Sequence, residues 1–234
     1  MSAKAQELAA RYGRNLSVVE IAEKIIAEQD DTEQLVDQSF HINAFTHPLC
    51  PIVTSNPDLQ YYRWGLIPSW VKTEDQAKEI ENMTINAKAE TIFEKPSFRN
   101  PILFRRCIVP STGFFEWRHE GRNKIPYYIL LKEQEIFSIA GIYEAWNNCG
   151  KIVYSFSIIT TEANELMSFI HNTKKRMPVI LPQEKEMEWL NPNLTKEDIR
   201  HLLIPFDTDA MDAYTIKSNF LRMNPKDERV IALR

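Results

Sequence analysis

The chain is predicted to fold as α+β: a curved, mostly antiparallel β pseudo-barrel with helices packed outside it. Three observations carry that expectation. Short apolar runs rich in β-branched and aromatic residues follow one another from residue 40 onward, helix-start signals lie before and after them, and no repeat or clean linker divides the chain. With 234 residues and 44% hydrophobic content the chain can bury a full core. A single domain over residues 1–234 is expected, helical over 1–38 and carrying its sheets and most of its motifs over 40–218.

Residues 2–12, rich in Ala, Gln, Glu, Leu and Lys, read as a short helix with Ser2 as N-cap and Gly13 as stop. Ser17-Val18-Val19-Glu20 is a capping box opening a second helix, whose apolar stripe is Val18, Ile21, Ala22, Ile25 and Ile26. After the acidic loop at Asp30 and Asp31, strands are expected at residues 40–45, 52–54, 61–66, 102–109, 127–131, 136–143 and 152–160. Thr161 is placed as the cap of a helix that runs through Leu166 and Phe169 and delivers His171 at its end. Thr195-Lys196-Glu197-Asp198 caps another helix through His201, and residues 178–181 and 214–217 complete the strands.

A net charge of −4 and a pI near 5.8 argue against coating nucleic acid by bulk electrostatics, so any DNA site must be a local patch. The candidate patch holds Lys95, Arg99, Arg105, Arg106, Arg118, Arg122 and Lys124 against Glu116 and Glu120; the charges alone read equally as a solvated basic face or a phosphate groove, and the aromatics nearby tilt the reading toward a groove. Cys50, Cys107 and Cys149 form no C-x-x-C pair, which fits reduced thiols in a cytoplasm. The five histidines are scattered, so no metal is expected, and no apolar stretch approaches the roughly 20 residues that span a bilayer.

Two segments carry candidate chemistry. Residues 111–117 place Glu116 inside an aromatic run, where a carboxylate is poorly solvated in its charged form and suited to passing protons. Glu116 also reads as a strand residue paired with Arg118 or Arg105. His171, followed by Lys174, Lys175 and Arg176, supplies an imidazole ahead of three cations, and reads alternatively as a histidine stabilised by a helix C-terminus. Trp64 and Trp70 flank a Gly-Leu-Ile-Pro turn; Trp64 is assigned to the core, and Trp70, where polar sequence resumes, is a candidate for stacking on a base.

Trp64–Trp70, Asn86-Ala87-Lys88-Ala89-Glu90-Thr91, residues 111–117, residues 158–164 and residues 171–178 stand in an order that resembles the SOS response-associated peptidase family, whose members crosslink to abasic sites in single-stranded DNA. The resemblance runs from about Phe40 to near Tyr214 and implies single-stranded DNA with abasic sites as partner, no cofactor, and a monomer. It implies that Glu116 is the acid/base that assists sugar-ring opening and imine chemistry, that His171 polarises the opened sugar, and that Asn86 holds the sugar or the N-terminal residue. Lys88 stands where the family often has arginine, losing the planar fork but keeping the charge. Thr160 and Arg176 match phosphate-facing positions, although four residues separate His171 from Arg176 where many members have one.

The family begins Met-Cys and uses the freed cysteine amine and thiol to trap the aldehyde as a thiazolidine; this chain begins Met1-Ser2. Either Ser2 replaces the cysteine, giving a less stable oxazolidine, or Met1 is internal to a protein that starts upstream with Met-Cys. The second reading is favoured because a helix-forming start is hard to thread into an active site. Cys50, Cys107 and Cys149 have no free α-amine to substitute. Self-processing peptidase and lyase-like chemistry accompany this reading. The alternatives are a conventional cysteine or serine peptidase, for which no G-x-S-x-G or paired Cys/His signature is present, and a noncatalytic single-stranded nucleic-acid-binding module.

Overall fold

The computed structural model describes residues 5–15 and 39–233. The expected second helix and Ser2 lie outside the described residues. Helix α1 (Ala5–Tyr12) ends at Gly13, whose φ of +58° is the left-handed conformation that stops a helix at low cost for glycine. Its buried face is Leu8, Ala9 and Tyr12. Arg11 pairs with the buried Glu186 at 2.6 Å, and Ser138 bonds both that carboxylate, at 2.6 Å, and the Tyr12 hydroxyl, at 2.8 Å.

No strand forms at residues 40–45. The Asn43 side chain accepts the Phe45 N–H at 3.1 Å and caps a 3-10 turn over Ala44–Thr46, a local bond that competes with strand pairing. Strands β1 (Leu49–Ile52) and β2 (Gln60–Trp64) then pair antiparallel. Helix α2 (Glu74–Met83), capped by Thr73, leads to the short strand β3 (Asn86–Lys88). The strand expected at 102–109 is split into a helical turn, α3 (Pro101–Phe104), and β4 (Arg106–Ser111). Pro101 suits the first turn of a helix, and Arg106 donates to the Ile102 and Leu103 carbonyls at 2.8 and 2.7 Å, satisfying the helix end.

Strands β5 (Phe114–Glu120), β6 (Asn123–Leu131), β7 (Phe137–Asn148) and β8 (Lys151–Glu162) follow. Thr161 does not cap the next helix. It stays in β8, opposite Met177, and Asn164 caps α4 (Glu165–Ile170) by accepting the Met167 N–H at 2.9 Å. Strands β9 (Arg176–Pro178) and β10 (Ile180–Leu181) precede helices α5 (Glu186–Trp189) and α6 (Lys196–Leu202), the latter opened by the expected Thr195–Asp198 capping box, and β11 (Met211–Thr215).

The fold is α+β with two mostly antiparallel sheets. The larger runs β1-β2-β8-β7-β10, with β3 and β9 on β8 and β4 on β7; among the described strands only β2 and β3 lie parallel to β8. The smaller sheet is β11-β6-β5. One isolated bridge, Val53 with Ile108, joins the edges of the larger sheet, which is not closed into a barrel. One face of that sheet packs Ala87, Ile108, Ile142 and Ile159 against Leu8, Tyr12 and Trp189. The other packs Cys107, Ile139 and Phe156 against Ile129 of the smaller sheet and Met167 and Ile170 of α4. Each such fully buried aliphatic or aromatic side chain contributes roughly 1.5–3 kcal/mol. The second interface sets the smaller sheet and α4 over the face on which the candidate site opens.

Candidate active site between the two sheets

Along β5 side chains alternate faces. Phe115 and Trp117 pack with Phe220 and Tyr128 on one side, whereas Phe114 joins the core between the sheets, and Glu116 shares the side of Phe114. His171 is the C-cap of α4, with φ −85° and ψ 55°. The two side chains meet there, His171 Nδ1 lying 3.2 Å from Glu116 Oε2. Glu116 pairs with neither Arg118, which binds Glu120, nor Arg105, which binds Glu144.

His171 Nδ1 also lies 3.1 Å from the Arg176 carbonyl oxygen, while Glu116 Oε1 accepts the Trp117 N–H at 2.9 Å. With Glu116 ionised, both neighbours of Nδ1 are acceptors, so Nδ1 carries the hydrogen and the Nε2 lone pair is left for a substrate. The side chains are 16% and 24% exposed, enough for a ligand to reach them and little enough to limit competing water.

Arg176 sits at the start of β9. The intervening loop turns back through Lys175, at φ +49°, whose N–H donates to the His171 carbonyl at 2.9 Å. The longer spacing is thereby taken up, and Arg176 arrives beside His171. Its Nη2 donates to the Thr160 carbonyl at 2.7 Å, and its two terminal nitrogens donate to Glu90 at 2.6 and 2.9 Å. Thr160 lies in register with Lys88 on β3 and with Pro178 on β9. Asn86 and Lys88 are both exposed on one face of β3, with Ala87 buried between them. Burial pushes the Glu90 carboxyl up, but the Arg176 hydrogen bonds, a backbone N–H and the charges of Arg176 and Lys88 outweigh it and hold it below its ordinary value. The structure therefore joins Glu116, His171, Arg176 and Thr160 by direct contacts, with Lys88 and Asn86 on the adjoining strand.

Among the described residues, no hydrogen bond or ring contact joins Trp70 to this group. Trp70 is 53% exposed, but its neighbours anchor to the other face of the larger sheet: Ser69 donates to Glu144 at 3.3 Å, and the Val71 carbonyl accepts from Trp146 at 2.7 Å. Trp146 and Gly141, the β7 residue in the same row as Asn86, are separated along the strand by roughly 17 Å. Trp64 is tied down, stacked on Phe156 and donating to the Ile85 carbonyl at 3.0 Å. The basic run does not form one groove either. Arg106 is buried, bonding the carbonyls of Ile102, Leu103, Trp189 and Asn191, and Arg105 and Arg118 hold carboxylates. Burial raises the Cys50 thiol to about 12 and the Cys107 thiol well above its ordinary value, which removes both as thiolate nucleophiles at neutral pH.

Two contributors escaped the sequence. Glu90 lay in plain view within the Asn86–Thr91 block, but only the fold brings it to Arg176. Asn172 follows His171, and its side-chain amide accepts the His119 N–H at 3.0 Å and donates to the His119 carbonyl at 2.8 Å, as a neighbouring strand would. Arg118 adds a second tie, donating to the Phe169 carbonyl and lying 3.9 Å from the Phe169 ring centroid. These links hold the end of α4 against β5. Asn172→Ala is expected to leave two backbone groups unpaired, lower the melting midpoint by an amount equivalent to about 1–3 kcal/mol, and slow the reaction of the site by loosening the Glu116–His171 contact. Melting curves and single-turnover rates check this; an unchanged rate would assign Asn172 to stability alone.

The family model for SOS response associated peptidase (SRAP) matches residues 8–222. The chain belongs to the SRAP family. Among SRAP relatives it is 45% identical over 202 residues to the abasic site processing protein YoqW of Bacillus subtilis, covering 82% of this chain and 87% of that protein. It is 36% identical over 151 residues to the chicken (Gallus gallus) abasic site processing protein HMCES, covering 55% of this chain and 44% of that one. A crystal structure of a protein from Bacteroides thetaiotaomicron superposes with a TM-score of 0.93 at 55% identity, covering 100% of this chain and 97% of that one. Among the described residues, no three His, Cys, Asp or Glu side chains gather closely enough to hold a metal ion, and no helix is long and apolar enough to cross a membrane.

Proposed function

We propose that this protein processes abasic sites in DNA by capturing them covalently in single strands, with Glu116 and His171 moving the protons and an N-terminal cysteine supplying the nucleophile. The observation that carries this reading is the Glu116–His171 contact of 3.2 Å, set beside Arg176 and the row containing Thr160 and Lys88.

An abasic nucleotide rests as a cyclic hemiacetal. Opening it removes a proton from the anomeric hydroxyl and delivers one to the ring oxygen, tasks within reach of a carboxylate and an imidazole held together. A primary amine then adds to the aldehyde carbon, and the carbinolamine loses water to give an imine. Addition of the cysteine thiol to that imine closes a thiazolidine without net loss of atoms. Asn86 is assigned to holding the sugar or the N-terminal residue, and Lys88, Thr160 and Arg176 to the flanking phosphates. Trp70 is assigned to stacking on a base farther along the strand. Peptide hydrolysis in this scheme is confined to freeing the N-terminal amine, and lyase-like strand cleavage would proceed from the imine. The protein acts as a monomer in the cytoplasm.

Charge reversal at Lys88 tests the DNA reading. Lys88→Glu is expected to weaken binding to single-stranded oligonucleotides regardless of base sequence, and to reduce the slope of log affinity against log salt by about 0.7 or more. Fluorescence anisotropy across a salt series measures both. Salt-independent binding, or none at low salt, would remove DNA from the account.

A further inference from the structure

We propose that Glu90 is a built-in competitor for the DNA backbone: its carboxylate fills the guanidinium fork of Arg176 and must be displaced before Arg176 can hold a phosphate. The proposal rests on the DNA reading above and adds a control over how that DNA is admitted.

Arg176 has few donors to spare. Nη1 and Nη2 donate to the two Glu90 oxygens at 2.6 and 2.9 Å, and Nη2 also donates to the Thr160 carbonyl at 2.7 Å. Nε is buried and has no partner, so the side edge of the guanidinium is closed to solvent. The end-on fork is thus the edge an anion could take, and a fork that fits two carboxylate oxygens fits two phosphate oxygens. The partners differ in freedom. Arg176 is 18% exposed and tethered to Thr160, whereas Glu90 is 41% exposed and can swing outward.

While Glu90 is seated, the Arg176 charge is neutralised locally, and the row presents Lys88 as its outward cation. A stray polyanion then gains little from the site. Displacing Glu90 weakens binding of every strand alike, and a strand that also places a sugar at Glu116 and His171 keeps enough affinity to complete the exchange while intact DNA is held only weakly. An exposed ion pair is weak enough for such an exchange to be readily reversible.

The test is a double-mutant cycle read by anisotropy with one undamaged single-stranded oligonucleotide at fixed low salt, using the full chain, Glu90→Gln, Arg176→Ala and the double variant. Glu90→Gln is expected to tighten binding about three- to tenfold, and the gain is expected to vanish when Arg176 is Ala. If melting shows Arg176→Ala to be unfolded, Arg176→Lys, which keeps a charge but loses the fork, serves as the second background, with the gain expected to shrink there. An equal or larger gain without the fork would mean simple repulsion of DNA by Glu90, and weaker binding by Glu90→Gln would mean that Glu90 positions Arg176; either overturns the proposal. Absence of binding by every protein, including wild type, would overturn the DNA reading itself and the proposal with it.

Discussion

Glu116→Gln is expected to slow adduct formation on abasic single-stranded DNA by about 100-fold or more, while affinity for the same DNA stays unchanged. The amide is nearly isosteric and can still accept the Trp117 N–H through its oxygen. It cannot take up a proton. Seated that way, its NH2 group faces His171 Nδ1, which the carboxylate approaches to 3.2 Å as an acceptor, so the imidazole N–H keeps only the Arg176 carbonyl at 3.1 Å as partner. One substitution therefore removes a proton acceptor and loosens its partner. His171→Ala is expected to cost a similar factor, and the double variant little more, because the two act as a unit. Single-turnover time courses on denaturing gels give the rates; an unimpaired Glu116→Gln protein would place the proton transfers elsewhere.

The second large effect concerns sulfur. A version of the protein processed to expose an N-terminal cysteine that reaches the Glu116–His171 pair is expected to form a heat-stable adduct with abasic single-stranded DNA. The same version with serine at that position is expected to form none, although borohydride should trap its transient imine. The difference follows from ring chemistry: a thiazolidine persists where an oxazolidine reopens and hydrolyses. A heat-stable adduct from the serine version would mean that another group is the nucleophile.

The sequence made the large features legible because they rest on local rules. Residues 195–198 formed their capping box, and Gly13 stopped α1 in the left-handed conformation that glycine permits. The long apolar runs became β6, β7 and β8 because their period survives small shifts at the ends. Errors fell where a side chain overrode local propensity. Asn43 turned the chain before it could extend, Pro101 and Arg106 converted the start of a strand into a helical turn, and Asn164 displaced Thr161 as a cap. The site divided in the same way. Glu116 and His171 stood out by residue type and neighbours, but their contact, the Glu90 pairing and the Asn172 clamp bring together segments far apart in sequence. The basic run between Lys95 and Lys124 misled for a related reason: charge is visible in a sequence, whereas the carbonyls and carboxylates that absorb it, as at Arg106 and Arg105, are not.

The most direct measurement compares two oligonucleotides on one denaturing gel with the cysteine-terminated protein. One carries a true abasic site, which opens to an aldehyde, and the other a tetrahydrofuran analogue, which lacks the anomeric hydroxyl and cannot open. Capture through ring opening predicts a stable adduct with the first and none with the second. Adducts with both, or with neither, would contradict it.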